Sequence, residues 1–191
     1  MPTDVVLIPG DGIGPEVADA ARRVLDAAGA DLRWTVSHAG EAAINAGEKQ
    51  LLPQSTLDLI GEHGVALKGP CTTPVGTGFR SVNVLLRKTL DLYAAVRPIR
   101  SMDGVKTRYT GVDVVIVREN TEGLYAGIEN EITKGVSTSL KVATEAASRR
   151  IADYAFRYAR ERGRKKVSFM MFALWNTLTF LRPRSRAYRK A

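Results

Sequence analysis

The chain has 191 residues, of which 45% are hydrophobic, so it can bury a core and form one large domain or one and a half small ones. One cysteine, Cys71, excludes an internal disulfide framework, and two distant histidines, His38 and His63, make no zinc pattern. The first residues show no export or organelle signal pattern, and we expect a soluble protein of the reducing cytoplasm.

The net charge of +8 is distributed unevenly along the chain. Residues 1–148 contain 15 Lys and Arg against 18 Asp and Glu, whereas residues 149–191 contain 13 against 2. A basic end can bind a polyanion, but charge runs are usually solvated faces, and this one resembles no nucleic-acid module. We therefore expect neither a nucleic-acid partner nor a membrane partner.

The first half of the chain alternates between strand and helix patterns. "DVVLIP" predicts a strand, and a glycine turn leads from it into the helix "GPEVADAARRVLDAAGA", with Pro15 in the first turn. "LRWTVSHAG" predicts a strand, "PQSTLDLIGEHG" a short helix ended by glycine, and "VALKGP" a buried strand. The apolar stripe predicted for the first helix consists of Val17, Ala21, Val24, Leu25 and Ala28.

The second half continues this alternation. "SVNVLLRKTLDLY" predicts a helix by the spacing of its apolar residues, and "VDVVIVREN" predicts a buried strand that ends in polar groups. "ATEAASRRIADYAFRYARERG" predicts a long helix. Its predicted inner face consists of Ala147, Ile151, Tyr154 and Tyr158. Alternating strands and helices indicate an α/β protein.

The stretch "IPGDGIGPE" joins the first strand to the first helix. Such a turn can bring backbone N–H groups and a helix N-terminus against an anion. It is not the G-x-G-x-x-G fingerprint of dinucleotide binding, however, and a tight turn is the favoured interpretation. Asp11 can act there like a helix cap that satisfies loop amides.

Two later stretches, "KGPCTTPVGTGFRSVNVLLRKTLDLYAAVRP" and "VIVRENTEGLYAGIE", concentrate polar side chains. Three guanidinium groups, a hydroxyl and an amide in one pocket suit a small polycarboxylate, because each arginine offers two parallel donors to a carboxylate. These residues are Arg87, Arg97, Arg118, Ser81 and Asn83, with Tyr125 following across a glycine-containing loop.

A structural alternative stays open for each arginine taken alone. Any of them can cap a helix or pair with a nearby carboxylate such as Glu119, Glu122 or Asp91. Surface charge pairs of this kind are common and weak. The set of three is harder to explain in this way.

Three motifs, "IPGDGIGPEV", "SVNVLLRKTLDLYAAVRP" and "RENTEGLYAGIE", resemble the metal-dependent decarboxylating dehydrogenases of isocitrate, isopropylmalate and homoisocitrate. The resemblance runs from Val5 to about Val167, and "SVN" and "RENTEG" are most similar to the NAD-dependent isocitrate enzyme. It implies the family's α/β/α sandwich, as in isopropylmalate dehydrogenase, which is not a Rossmann fold.

The resemblance also implies roles for individual residues. Isocitrate would be bound by Ser81, Asn83, Arg87, Arg97 and Arg118. Thr72 and Asn83 would contact the cofactor, NAD or alternatively NADP, and Tyr125 would protonate the enol left after CO₂ departs. The family uses Mg²⁺ or Mn²⁺, but its metal ligands and catalytic lysine belong to a second half that this chain lacks, so no metal ligand is expected here. The resemblance further implies a homodimer.

The resemblance predicts three regions. Residues 1–100 would be the N-terminal part of the large α/β domain, residues 101–168 the start of the small substrate and dimerisation domain, and residues 169–191 a tail foreign to the family. We expect this tail to be disordered or antisense-derived. Plausible codons for its last 23 or so residues, read on the complementary strand one frame away, yield the family segment "HKANIM" and a near copy of residues 155–168.

These expectations favour one function over its alternatives. The chain would be an isocitrate dehydrogenase of the NAD-dependent, oxidatively decarboxylating type, truncated and inactive alone. A non-catalytic subunit or polycarboxylate-binding fragment is the second interpretation, and a homoisocitrate or isopropylmalate dehydrogenase is the third.

Overall fold

The computed structural model describes residues 1–72 and 81–169. They form two compact units, of which the first ends at Asp91 and the second begins at Leu92. Apart from Phe169, the predicted tail lies outside the described residues, so both interpretations of it stay predictions. Across the two described ranges, no helix is long and apolar enough to cross a membrane.

A parallel three-stranded sheet forms the centre of the first unit. Its middle strand, β1 (Thr3–Ile8), pairs with β2 (Leu32–Val36) on one side and with β3 (Ala66–Lys68) on the other. Parallel neighbours need crossover connections, which helices provide here. The helices of this unit are α1 (Gly14–Ala27), α2 (Glu41–Asn45), α3 (Gln54–His63) and α4 (Val82–Thr89).

The hydrophobic core of the first unit joins β1 to α4 and to the segment after β2. Val82 and Leu86 lie one helical turn apart on α4 and are both buried, so this helix presents a single apolar side to the core. Full burial of one aliphatic side chain contributes about 1.5–3 kcal/mol. The buried core cluster consists of Val6, Ile8, Ala39, Leu51, Leu52, Val82 and Leu86.

The second unit is built from antiparallel strands and one long helix. The strand β4 (Ala94–Arg100) pairs with β5 (Asp113–Glu119), and β6 (Gly123–Thr133) pairs with β7 (Val136–Val142). The helix α5 (Glu145–Glu161) follows and packs against β5. On its predicted inner face Ala147 is buried, and the other three residues are half-buried.

The boundary between the two units falls before β4. The sequence placed a domain boundary at residue 100, which is the last residue of this strand. Because β4 finds its hydrogen-bonding partner in β5, the strand belongs with the second unit. The assignment of these units to a large domain and a small substrate domain stays a prediction.

The apolar stripe predicted for α1 is only partly correct, because Ala21 and Leu25 are half-buried whereas its other members are exposed. Val17 is 48% exposed and Val24 is 68% exposed, whereas Gly14 and Ala18 are the buried residues of this helix. A Cβ atom on Gly14 would lie 2.5 Å from the carbonyl oxygen of Pro9. This close backbone approach at the start of the helix turns its small residues inward, against the apolar periodicity.

Two strands predicted as buried are only partly covered. Val114 and Ile116 of β5 are each 48% exposed, because the face of the β4–β5 sheet on which they lie is not covered by other described residues. Ala66, at the start of β3, is exposed as well, and β3 is an edge strand among the described residues. In both cases the apolar sequence correctly predicted a strand, but the prediction that the strand is buried was wrong.

Candidate active site

Two arginines of the predicted site lie on one face of the β4–β5 sheet. Arg97 is directly opposite Ile116, and Ala95 is directly opposite Arg118. Opposed residues share a face, and successive residues of a strand alternate between faces. Arg97 and Arg118 therefore share a face as diagonal neighbours, and both are exposed.

The other face of this sheet is the covered one. Val115 and Val117 are half-buried, in contrast to the exposed Val114 and Ile116, so we assign the packing of α5 against β5 to this face. Arg100 also belongs to the covered face, because it is three residues from Arg97 on the same strand. The strand β4 thus presents arginines to both faces, and only one face carries the pair of the predicted site.

Tyr125 contacts one of the two arginines. The Nη2 atom of Arg118 donates a hydrogen bond of 3.4 Å to the Tyr125 hydroxyl oxygen, and the guanidinium carbon lies 5.5 Å from the centroid of the tyrosine ring. The oxygen is the acceptor in this bond, because arginine can only donate. As expected from the sequence, Tyr125 follows Arg118 across a turn, and it lies near the start of the strand β6, which begins at Gly123.

The acidic residue after Arg118 builds the turn that leads into β6. The Glu119 carboxylate accepts hydrogen bonds from the Thr121 hydroxyl at 2.6 Å and from the N–H groups of Thr121 and Glu122, both at 2.9 Å. Partial burial favours the protonated carboxyl, but these hydrogen bonds outweigh it and lower the pKa of Glu119 from its ordinary value. The Glu119 carboxylate is therefore engaged in hydrogen bonds within the turn, while Arg118 contacts Tyr125.

Glu122 connects this turn to the start of α5. Its carboxylate accepts hydrogen bonds from the Thr144 hydroxyl at 2.7 Å and from the Thr144 N–H at 2.8 Å. The Thr144 oxygen in turn accepts from the Ala147 N–H at 3.1 Å, which makes Thr144 the N-cap of α5. This cap was not predicted from the sequence, although a threonine directly before an apolar helical pattern is its usual signal.

Asn120 lies between Arg118 and Glu122 in the sequence and is 6% exposed. Its side-chain Oδ1 atom is buried and has no hydrogen-bond partner among the described residues. A buried oxygen without a donor costs about 1–3 kcal/mol. Asn120 was not among the predicted site residues, and a polar residue inside "RENTEG" was the signal for it.

The predicted site residues of the first unit lie at the start of α4. Ser81 is the N-cap residue in an extended conformation, with no capping hydrogen bond from its side chain, and its carbonyl accepts from the N–H groups of Val84 and Leu85. Asn83 lies in the first turn, and Arg87 follows one turn later, as the spacing predicted. Ser81, Asn83 and Arg87 are half-buried.

Thr72, the predicted cofactor contact, is exposed and lies at the end of a described range. Its backbone N–H donates a hydrogen bond of 2.8 Å to the Asp11 carboxylate. Residues 73–80 between Thr72 and Ser81 lie outside the described residues.

The glycine turn after β1 is packed against the backbone that precedes Thr72. Gly10 has φ +82°, and a Cβ atom there would lie 1.8 Å from the Pro70 carbonyl oxygen. A Cβ atom on Gly69 would likewise lie 2.1 Å from the Pro9 carbonyl oxygen. These glycines serve a close approach of two backbones, as the tight-turn interpretation requires.

The structure thus groups the predicted residues in two sets. Arg97, Arg118 and Tyr125 are brought together in the second unit, and Ser81, Asn83 and Arg87 share the first turns of α4 in the first. The convergence of the two sets on one pocket stays a prediction.

A groove of about 760 Å³ lies elsewhere in the second unit, along α5. Tyr93, Arg150 and Tyr154 are among its lining residues, and none of the predicted site residues is. Within residues 1–72 and 81–169, no group of three or more His, Cys, Asp and Glu side chains is arranged to hold a metal ion. The described residues therefore offer no complete ligand set for the Mg²⁺ or Mn²⁺ that the resemblance implies.

The chain matches the family model described as isocitrate/isopropylmalate dehydrogenase over residues 4–173. It is 45% identical to an isocitrate dehydrogenase from Methylococcus capsulatus, with a TM-score of 0.88 over 99% of this chain and 58% of that one. The chain belongs to the isocitrate/isopropylmalate dehydrogenase family, and the expected α/β fold of that family is confirmed.

Curated relatives narrow the comparison to NAD-dependent isocitrate dehydrogenases. The human mitochondrial protein, named as the alpha chain of such an enzyme, is 48% identical over 164 residues, which are 86% of this chain and 44% of that protein. A mitochondrial protein of Dictyostelium discoideum, named as a regulatory subunit, is 49% identical over 165 residues, again 86% and 44%. The chain thus spans less than half the length of these relatives, and the family to which it belongs is a family of enzymes.

The expected cytoplasmic location is wrong by the same comparison, because these relatives are named as mitochondrial proteins. The single cysteine and the absence of a recognisable signal pattern in the first residues were its support.

Proposed function

We propose that the chain carries the substrate-binding portion of an NAD-dependent isocitrate dehydrogenase. The reaction would be the oxidative decarboxylation of isocitrate to 2-oxoglutarate. Arg97 and Arg118 would hold carboxylates of the substrate, and Ser81, Asn83 and Arg87 on α4 are further proposed substrate-binding residues. The human and Dictyostelium relatives, both named as subunits of such an enzyme, support this choice.

The observation that carries the proposal is the shared, exposed face of Arg97 and Arg118. A guanidinium offers a carboxylate two parallel donors, and the resulting bond is stronger than one between neutral groups. Glu119, the neighbouring carboxylate that could have paired with Arg118, is held by its own turn. The two arginines therefore offer positive charge to a ligand with several carboxylates.

Tyr125 would act as the proton donor. NAD, when bound, accepts the hydride from C2 of the substrate. Once CO₂ has left, the carbon that carried it needs a proton, and a phenol held at the arginine face can supply one. In its contact with Arg118 the tyrosine oxygen accepts, so this contact orients the phenol without using its own proton.

Thr72 and Asn83 would contact the cofactor. The backbone N–H of Thr72 is hydrogen-bonded to Asp11, which holds this residue before a ligand arrives, and Asn83 is half-buried in the first turn of α4. The predicted homodimer is a further part of the proposal, and sedimentation equilibrium of the chain tests it.

The 191-residue chain should have no measurable turnover alone, because groups that act as one catalytic unit are strongly non-additive and this chain spans less than half of its relatives. Formation of NADH by the purified chain from isocitrate, NAD and Mg²⁺ would contradict this expectation.

A second candidate function is that of a non-catalytic, polycarboxylate-binding subunit. The relative from Dictyostelium discoideum named as a regulatory subunit, 49% identical to this chain, favours it. Co-purification of the chain with an intact homologous subunit would support this candidate.

Citrate binding tests the arginine face, which both candidates need. Calorimetric titration of the chain with citrate should give saturable binding, and Arg118→Ala should weaken it about tenfold or more, since a hydrogen bond to a charged group is worth ~1.5–3 kcal/mol. Arg100→Ala is the matched control, because it removes an arginine from the covered face of the same sheet. Equal effects of both variants would show that only net charge matters and would refute the site.

A further inference from the structure

Asp11 is a buried carboxylate that ties together three separate segments of the first unit. It is 8% exposed and sits in the glycine turn after β1. Its Oδ1 atom accepts a hydrogen bond from the Ala42 N–H at 2.7 Å, and its Oδ2 atom accepts from the N–H groups of Glu41 at 3.0 Å and Thr72 at 2.8 Å. One side chain therefore satisfies donors that lie 30, 31 and 61 residues away along the chain.

The surrounding backbone is shaped to admit this carboxylate. Gly40 has φ +83°, and a Cβ atom there would lie 2.1 Å from Asp11 Oδ2. The Asp11 N–H itself donates to the Pro70 carbonyl oxygen at 2.8 Å. Asp11 thus holds the segment Pro70–Thr72 twice, once through its own backbone and once through its side chain.

Capping of α2 explains only part of this arrangement. The bonds from Glu41 and Ala42 satisfy the first amides of α2, as a capping aspartate does. The bond from Thr72 comes from a different segment and shares the Oδ2 atom with Glu41. The carboxylate cannot shift toward one donor without lengthening its bond to the other, so the position of Thr72 is fixed relative to α2.

We propose that Asp11 is a positioning residue for the cofactor site, acting through the backbone of Thr72. This inference rests on the proposed contact of Thr72 with NAD. A charge-assisted bond to an exposed residue holds its backbone in one conformation, so a ligand that meets Thr72 does not have to order it on binding. Asp11 itself is buried and does not touch the ligand.

The test is a titration of the full chain with NAD, and separately with citrate, followed by ligand-observed NMR. Asp11→Ala removes all three bonds and should weaken NAD binding about fivefold or more while leaving the citrate affinity unchanged. Asp11→Asn can keep an oxygen toward Glu41 and Thr72 and should recover part of the NAD affinity. Asp4→Ala is the matched control, because it removes an exposed carboxylate of β1 that pairs with Arg33.

Each outcome of the titration decides a different claim. An unchanged NAD affinity in a folded Asp11→Ala variant, or equal losses for NAD and citrate, would overturn the positioning role. A wild-type chain that binds citrate but not NAD would instead refute the proposed cofactor contact of Thr72.

Amide hydrogen exchange of the wild-type chain tests the bond between Asp11 and Thr72 directly, and it does not require Asp11→Ala to fold. The Thr72 N–H should exchange markedly more slowly than a solvent-exposed amide without a partner, although the residue itself is exposed. Exchange of Thr72 at the rate of an unstructured peptide would mean that Asp11 does not hold it, and the inference would fall.

Discussion

The two units of this chain differ in how far they bury their apolar side chains. The first has a parallel sheet whose middle strand is almost wholly enclosed, with Val6 at 0% and Ile8 at 1% exposure. The second has two separate antiparallel pairs of strands, and apolar residues such as Ile116 and Leu140 remain about half exposed on them. Its buried hydrophobic residues among those described are two alanines of α5, Ala147 and Ala159.

The two units also differ in the roles of their polar and charged residues, some of which form structural hydrogen bonds while others stay exposed. In the first unit, polar groups such as Asp11 and Thr56 are consumed by the fold itself, since they satisfy backbone donors or acceptors in the interior. In the second unit, Glu119 accepts hydrogen bonds within its turn and Glu122 accepts them from Thr144 at the start of α5. Arg97 and Arg118, by contrast, are exposed. A residue's charge alone does not tell which of these roles it has.

The largest expected effect that separates the units is a core truncation. Ile8→Ala should lower the free energy of unfolding of the first unit by about 2–5 kcal/mol, because it removes buried methylene groups and leaves a cavity. Ile116→Ala in the second unit should change it by less than about 0.5 kcal/mol, since that residue is 48% exposed. Urea denaturation followed by circular dichroism measures both, and equal losses would contradict the contrast.

A smaller effect is expected at the cap of α5. Thr144→Ala should cost about 1 kcal/mol, because it leaves the Ala147 N–H without its acceptor and Glu122 without the hydroxyl donor. Thr144→Ser keeps both bonds and should retain most of the wild-type stability. Thermal melting of the two variants measures these changes in stability. An equal loss of stability in both would mean that the methyl group of Thr144, and not its hydroxyl, makes the contribution.

The smallest expected effect is the pH dependence that Glu119 adds to the second unit. The folded pKa of this carboxyl is lowered, so its stabilising contribution is present above the unfolded value of about 4.3 and is lost as the pH falls through the folded value. Glu119→Gln should therefore lose less stability than the wild type when the pH is lowered from neutrality into this range.

Glu48→Gln, at an exposed position of the first unit, serves as the charge control for this pH experiment. Parallel stability curves for the wild type and Glu119→Gln would contradict the account of the turn.

Local patterns in the sequence were sufficient to predict most of the regular elements. Apolar runs predicted β1 and β5, a final glycine predicted the end of α3 at Gly64, and apolar periodicity predicted α4 and α5. The short helix α2 and the hairpin of β6 and β7 were not predicted. The helix α2 has only five residues and depends on Asp11, far away in the chain, for its first amides.

The candidate site was predictable in its residue types and only partly in its arrangement. The spacing of Ser81, Asn83 and Arg87 predicted their place at the start of α4. The shared face of Arg97 and Arg118 depends on the register of β4 against β5, and a shift of one residue would move one arginine to the other face. No pattern within either strand specifies that register.

The sequence by itself determined the family, the alternation of strands and helices, and the candidate residues of the proposed substrate site, because these depend on local composition and on motifs along the chain. Only the tertiary structure decided which acids are consumed by capping, how α1 is rotated, and that Asp11 joins Thr72 to α2. Hydrogen bonds and close backbone approaches between residues far apart in the chain depend on their distance in space, which local patterns do not contain.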